Sequence, residues 1–236
     1  MKKLVIFDMD DTLYQSEKFK EIYDYAVYSS VSEKSHLSLD TAQEYFENKR
    51  TEVYQSTGLF PGKTQTLFLY YGVSIDYLEQ KKLEAIQKMG MPILNSPEQS
   101  LRLKKAILSL SSRYWSVILT NNHKSITNRV LEQIGLEDVF DRIYTLNDMP
   151  EELSARVKAP DLPADKTDEK VLSYIKPSLS RLQSILEDYQ IEPQNCMSIG
   201  DRYYIDHVYA EHLGMRIFLV NSVEDVITAC RLLSDE

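Results

Sequence analysis

Five short apolar runs narrow the folds open to this chain more than any other feature of it. They are Leu4-Val5-Ile6-Phe7, Val117-Ile118-Leu119, Ile143-Tyr144, Met197-Ser198-Ile199 and Ile217-Phe218-Leu219-Val220. Runs of this kind read as strands buried on both faces, which is the condition of a parallel sheet covered on each side by helices. The stretches between them carry the three- and four-residue spacing of amphipathic helices. Helices are expected over about 98–110, over 125–134 with Gly135 as the stop, and from Ser178 onward, where Leu179, Leu182, Ile185, Leu186 and Tyr189 share a side. Two more are expected over about 205–213, stopped by Gly214, and over 223–233. Strand and helix in alternation make an α/β fold, here a doubly wound, Rossmann-like parallel sheet.

The section between residues 15 and 95 breaks that rhythm. It holds no convincing strand and reads as four helices, over about 17–31, 38–55, 63–71 and 75–89. Ser38 is a fitting N-cap, and Gly58, Pro61-Gly62 and Gly72 interrupt the later elements. The domain division that follows is an α/β core from 1–14 and 96–236, with a helical domain, 15–95, inserted after the first strand. Eight tyrosines crowd this insertion (Tyr23, Tyr25, Tyr28, Tyr45, Tyr54, Tyr70, Tyr71 and Tyr77). They either pack a small bundle with their hydroxyls wet or line a substrate cavity. A second irregular stretch, Asn147 to Val171, is long for a connection inside a domain, which marks either function or disorder.

Composition removes several function classes. At 236 residues, 43% hydrophobic and 27% charged, the chain is of ordinary globular make-up. No apolar run reaches the roughly 18 to 20 residues that span a bilayer. The apolar run of the first strand ends after four residues at Asp8, with no cleavage site after it, so a cytoplasmic protein is expected. A net charge of −9 without a Lys/Arg cluster argues against a nucleic-acid polymer as partner, not against a small anion. Cys196 and Cys230 imply packing and no disulfide framework. The histidines His36, His123, His207 and His212 lack zinc-ligand spacing.

Chemistry concentrates where strands end. Asp8 and Asp10 follow the first run, at the end of the sheet where open α/β proteins bind ligands. Residues two apart in extended chain point the same way, so the two carboxylates are expected to converge. Converging like charges are costly unless one keeps a proton or a cation lies between them. Such a pair suits phosphoryl transfer through an aspartyl-phosphate: one carboxylate attacks phosphorus, the other protonates the leaving oxygen and later deprotonates water. An anionic nucleophile meeting an anionic ester also needs a magnesium ion, a lysine and backbone amides close by. Leu119-Thr120-Asn121-Asn122 follows the second run, and Gly200-Asp201-Arg202-Tyr203-Tyr204-Ile205-Asp206 the fourth. Lys176-Pro177-Ser178 precedes a helix, with the proline expected in its first turn.

The stretches "DMDDTLY", "ILTNN", "IKPS" and "IGDRYYID", in this order, resemble the four motifs of the haloacid dehalogenase (HAD) superfamily, and the helical section falls where that superfamily inserts its type 1 cap. The resemblance implies Asp8 as nucleophile and magnesium ligand, and Asp10 as general acid/base with its carbonyl on the metal. It implies that Thr120 and the Asn121 amide hold phosphoryl oxygens and that Lys176 neutralises the transferring group. Asp201 would be a further magnesium ligand, and Asp206 a carboxylate behind it that orients water or Lys176. Asp11 would be a solvated turn residue, Arg202 and His123 rim or surface residues, and Lys63 a contact to the substrate's far end.

Within the superfamily, "FDMDDTLY" and "LTNNHKSITNRVLEQIGLEDVFDRIY" are most similar to the pyrimidine 5′-nucleotidase-like phosphatases, although the cap sequence "STGLFPGKTQTLFLYYG" departs from that group. A small phosphate monoester is the implied substrate, a nucleoside 5′-monophosphate among the options, and a monomer or dimer the implied state. A phosphomutase on the same scaffold and a non-catalytic phospho-ligand binder are the alternatives. A dehalogenase is disfavoured because a departing halide needs no acid such as Asp10.

Overall fold

A computed structural model describes residues 2–58, 61–148 and 174–236. Its centre is a five-stranded, all-parallel sheet of β1 (Lys3–Phe7), β2 (Tyr114–Leu119), β3 (Arg142–Tyr144), β4 (Cys196–Gly200) and β5 (Arg216–Leu219), in the order β3-β2-β1-β4-β5. β1 is the middle strand, with Phe7 level with Ile118 on one side and Ile199 on the other. The exits of β1, β2 and β4 therefore lie next to one another, and the three strand-end motifs come together for that reason.

The three central strands, β1, β2 and β4, lie between buried surfaces, whereas β3 and β5 at the edges are partly exposed. Leu4 and Ile6 join Val117, Leu119, Tyr144 and Cys196 in a core closed by Leu182, Ile185 and Leu186 of α7 (Leu179–Tyr189) and Ala210 of α8 (Val208–His212). Val5 and Phe7 point to the opposite face and are equally buried. Helix α5 (Pro97–Leu108) packs against α9 (Val223–Asp235), and α6 (Lys124–Gln133) follows β2. This is the doubly wound, Rossmann-like arrangement expected from the apolar runs.

The chain divides into two compact units, one of residues 1–16, 93–148 and 176–236 and the other of the described residues within 17–92 and 149–175. Among its described residues the second unit has four helices, α1 (Glu17–Ser35), α2 (Leu39–Thr57), α3 (Lys63–Tyr71) and α4 (Ile75–Met89). Helix α1 packs against the other three. Ser38 caps α2 by accepting from the Thr41 amide, and Ser74 does the same for Tyr77 at α4. The tyrosines use their polar tips within this unit: Tyr28 donates to Glu47, Tyr23 shares a hydrogen bond with Thr64, and Tyr77 donates to Glu33, while Tyr45, Tyr54 and Tyr70 are exposed.

Two local expectations need correction. Helix α7 begins at Leu179, and Ser178 is its N-cap, accepting from the Arg181 amide at 3.0 Å. Pro177 therefore lies ahead of the cap and not in the first turn. The helix expected over 205–213 is regular only from Val208, because Tyr203–His207 form a wider π turn. The stretch from Asn147 to Val171 falls, after its first two residues, outside the described residues.

Candidate active site

The site begins where β1 stops. The Asp8 amide donates to the Ile199 carbonyl at 2.8 Å, which continues the sheet pairing one residue past the strand. The chain then turns sharply, with the Met9 carbonyl accepting from Thr12 and Leu13, and Asp11 takes a left-handed conformation at φ 60°. That backbone suits glycine, asparagine or aspartate and few other residues. The turn also explains a departure from the extended-chain expectation. Asp8 and Asp10 do not converge on the same partners: Asp8 receives hydrogen bonds from Lys176 and Thr12, whereas Asp10 receives them from Tyr14 and Asn122.

Lys176 is the hub of the charged cluster. Its ammonium, 5% exposed with its residue, donates to Asp8 Oδ1 and, at 2.7 Å, to Asp206 Oδ1. The Asn121 side chain fixes its main chain on both sides, accepting from the Lys176 amide at 2.7 Å and donating to the Lys176 carbonyl at 3.1 Å. Thr120, buried at the exit of β2, donates its amide to the Tyr144 carbonyl, and its hydroxyl oxygen accepts from the Asn122 amide at 3.1 Å. Asp206 has both oxygens engaged, since Oδ2 accepts from the Arg202 amide at 3.0 Å. The Arg202 side chain is exposed and lies 3.6 Å from Asp201.

Asp8, Asp201 and Asp206 each bring a carboxylate oxygen within 4.8 Å of the others. Burial, then the charge of Asp206, push the Asp8 carboxyl up to about 7 against the opposing pull of Lys176. Burial also raises Asp201, to about 6. Burial acts upward on Asp206 too, but Lys176 outweighs it and holds that group below the usual carboxylate range. The same two carboxylates keep Lys176 above its ordinary value despite its burial. Asp201 Oδ1 is buried without a hydrogen-bond partner among the described residues. An oxygen-rich, partly protonated cluster with one such orphaned atom fits a hard divalent cation, which would satisfy that atom and favour the ionised carboxylates.

Several residues at this site escape pattern reading. Tyr14 and Asn122 stand in quoted motifs, yet only the structure aims them at Asp10. Gly200 leaves room for Asp206: a Cβ there would lie 2.7 Å from Asp206 Cβ and 2.8 Å from its Cγ and Oδ2. His207 is fully buried beneath this corner, its ring nitrogens 3.1 Å from Ser198 Oγ and from the Gly200 carbonyl. His123, expected at the rim, is also fully buried, as the N-cap position of α6. Lys63 pairs with Asp24 inside the helical unit. Cys196 and Cys230 are free and buried, and burial holds both thiols near 12, as packing residues.

A family model of haloacid dehalogenase-like hydrolases matches residues 2–207. Solved structures with a similar fold include a HAD phosphatase from Thermococcus onnurineus, 19% identical over 97% of each chain with a TM-score of 0.50. A protein of Bacillus subtilis assigned to the HAD hydrolases, solved bound to magnesium, is 15% identical over 98% of this chain and 100% of its own, with a TM-score of 0.56. A protein of Thermotoga maritima assigned as a β-phosphoglucomutase is 15% identical over 98% of this chain and 99% of its own, with a TM-score of 0.50. At these identities the likeness shows the fold alone. The family match takes in β1, β2 and β4 together with the turns that follow each of them, and the chain belongs to the haloacid dehalogenase-like hydrolases.

Proposed function

We propose that this hydrolase is a magnesium-dependent phosphatase acting on small phosphate monoesters through a covalent phosphoryl group on Asp8. The observation that carries the reading is the buried Lys176 bridging Asp8 and Asp206, beside the orphaned Oδ1 of Asp201. In this reading Asp8, the Asp10 carbonyl and Asp201 hold the cation, which supplies positive charge to the phosphoryl oxygens. Asp8 attacks phosphorus from a position fixed by Thr12 and Lys176. Thr120 and the Asn121 amide bind phosphoryl oxygens, and Lys176 offsets their charge while Asp206 keeps its ammonium in place. Asp10 gives a proton to the leaving oxygen and takes one from the water that cleaves the intermediate.

The helical section 15–95 is proposed as the cap that selects the substrate, with nucleoside 5′-monophosphates among the esters it accepts. The test is phosphate release from an aryl phosphate and a panel of metabolite phosphates, with magnesium and with a chelator. Release that needs the metal and disappears in Asp8→Asn supports the reading. Equal inactivity of both proteins toward every ester would point to a phospho-ligand binder. Interconversion of phosphate positions on a sugar, in place of free phosphate, would point to a mutase.

A further inference from the structure

Asp10 is gripped from two directions. The Tyr14 hydroxyl donates to Oδ1, and Asn122 Nδ2 lies 3.0 Å from Oδ1 and 2.7 Å from Oδ2. Both donors are sequestered, Tyr14 being 1% and Asn122 4% exposed. Tyr14 also bridges to Asp10 through the main chain, and the Asn122 amide donates to Thr120 Oγ1. A carboxylate has about four acceptor positions, two on each oxygen. Tyr14 and Asn122 fill both positions on Oδ1, whereas Oδ2 accepts from Asn122 alone among the described residues and keeps one open. A proton placed on Oδ1 would have to displace Tyr14.

We propose that Tyr14 and Asn122 are positioning residues that reserve Oδ2 of Asp10 for proton exchange with the substrate. The inference rests on the reading of Asp10 as acid/base given above. In the forward step an Asp8 oxygen bonds to phosphorus as the ester P–O bond breaks. The electron pair leaves with the ester oxygen, which takes the proton from Asp10 Oδ2. In the second step water's oxygen bonds to phosphorus, the Asp8–phosphorus bond breaks with its electrons returning to the carboxylate, and the water proton goes to Oδ2. Tyr14 and Asn122 touch neither reactant, and they act by keeping the carboxylate from rotating.

The test is kcat/KM, with magnesium present, across a series from alkyl phosphates to aryl phosphates with acidic leaving groups. The proteins are wild type, Tyr14→Phe, Asn122→Ala and Asp10→Asn. A misdirected acid should matter most where the leaving group most needs a proton. Tyr14→Phe and Asn122→Ala are each expected to lose about tenfold on alkyl esters and less than about twofold on the most acidic aryl ester. An equal loss along the series, or none, would overturn the proposal, because a purely structural role lowers all esters alike. If Tyr14→Phe fails to fold, the Asn122→Ala series decides alone. A wild type that releases no phosphate, or a flat series for Asp10→Asn, refutes the underlying assignment of Asp10. A skewed Asp10→Asn series beside flat Tyr14→Phe and Asn122→Ala series refutes only this inference.

Discussion

Replacing Gly200 by alanine only exchanges a hydrogen for a methyl group, yet it should damage both stability and turnover. The new Cβ would sit 2.7 Å from Asp206 Cβ and 2.8 Å from its Cγ and Oδ2. Carbon atoms in contact settle about 3.5–4.0 Å apart, so one side must move by the better part of an ångström. Asp206 cannot swing away freely, because Oδ1 accepts from Lys176 at 2.7 Å and Oδ2 from the Arg202 amide at 3.0 Å. Gly200 cannot withdraw either, since its carbonyl accepts from the Val220 amide at 2.9 Å and it ends the fully buried strand β4. Overpacking of a close-packed site typically costs about 1–3 kcal/mol. At roughly 2–4 °C per kcal/mol for a chain of this size, the melting temperature should fall by about 2–12 °C. Turnover should fall as well, by about tenfold or more, because Asp206 shifts the ammonium of Lys176 with it.

Thermal melting and magnesium-supported phosphate release, measured on the same preparations, check both numbers. In an Asp206→Gly background the obstacle is gone, and adding Gly200→Ala should cost less than about 0.5 kcal/mol more. A Gly200→Ala protein that melts and turns over like wild type would refute the reasoning, as would a cost undiminished in the Asp206→Gly background.

The remaining predictions concern the charges of the same cluster. Because Asp8 is raised from 3.8 to about 7, the folded metal-free protein keeps a proton that the unfolded chain has lost, and this group's contribution to stability declines as pH rises through that window. Asp8→Asn should therefore raise the melting temperature of the metal-free protein at pH 8 and leave it little changed near pH 4, which a pH series of melts can read. Magnesium should stabilise the wild type more at pH 8 than at pH 5.5, since the ion needs deprotonated ligands and Asp201 is raised to about 6 as well; titration calorimetry at the two pH values measures it. Lys176→Met leaves two buried carboxylates without their cation and should cost about 3–5 kcal/mol by denaturant unfolding, with turnover lost.

The sheet was legible in the sequence because parallel strands covered on both faces leave a signal that needs no neighbours to interpret: Leu4 to Phe7 must be buried wherever they go. The motif residues at the strand exits were legible for a related reason, since polar residues directly after a buried run have few places to be. Features that depend on contacts between distant segments were not. Asn122 lies 112 positions from Asp10, and nothing local turns it toward that carboxylate, whereas Tyr14, four residues away, reaches Asp10 through the sharp turn after β1. The Tyr203–His207 turn departs from helical spacing where Asp206 nests against Gly200, a fit invisible to periodicity. His123 reads as surface because it follows two asparagines, yet it lies fully buried at the start of α6. Helix α1 runs to Ser35, past its last apolar residue, and stops where His36 turns left-handed at φ 55°.

The central claim is that Asp8 carries the phosphoryl group. Rapid acid quench of the enzyme turning over an aryl phosphate with magnesium, followed by peptide mass spectrometry, reads it directly. The account predicts one phosphoryl group on the peptide that contains Asp8, absent from Asp8→Asn and accumulating in Asp10→Asn when the leaving group is acidic. Phosphate on any other residue, or undiminished turnover by Asp8→Asn, would contradict it.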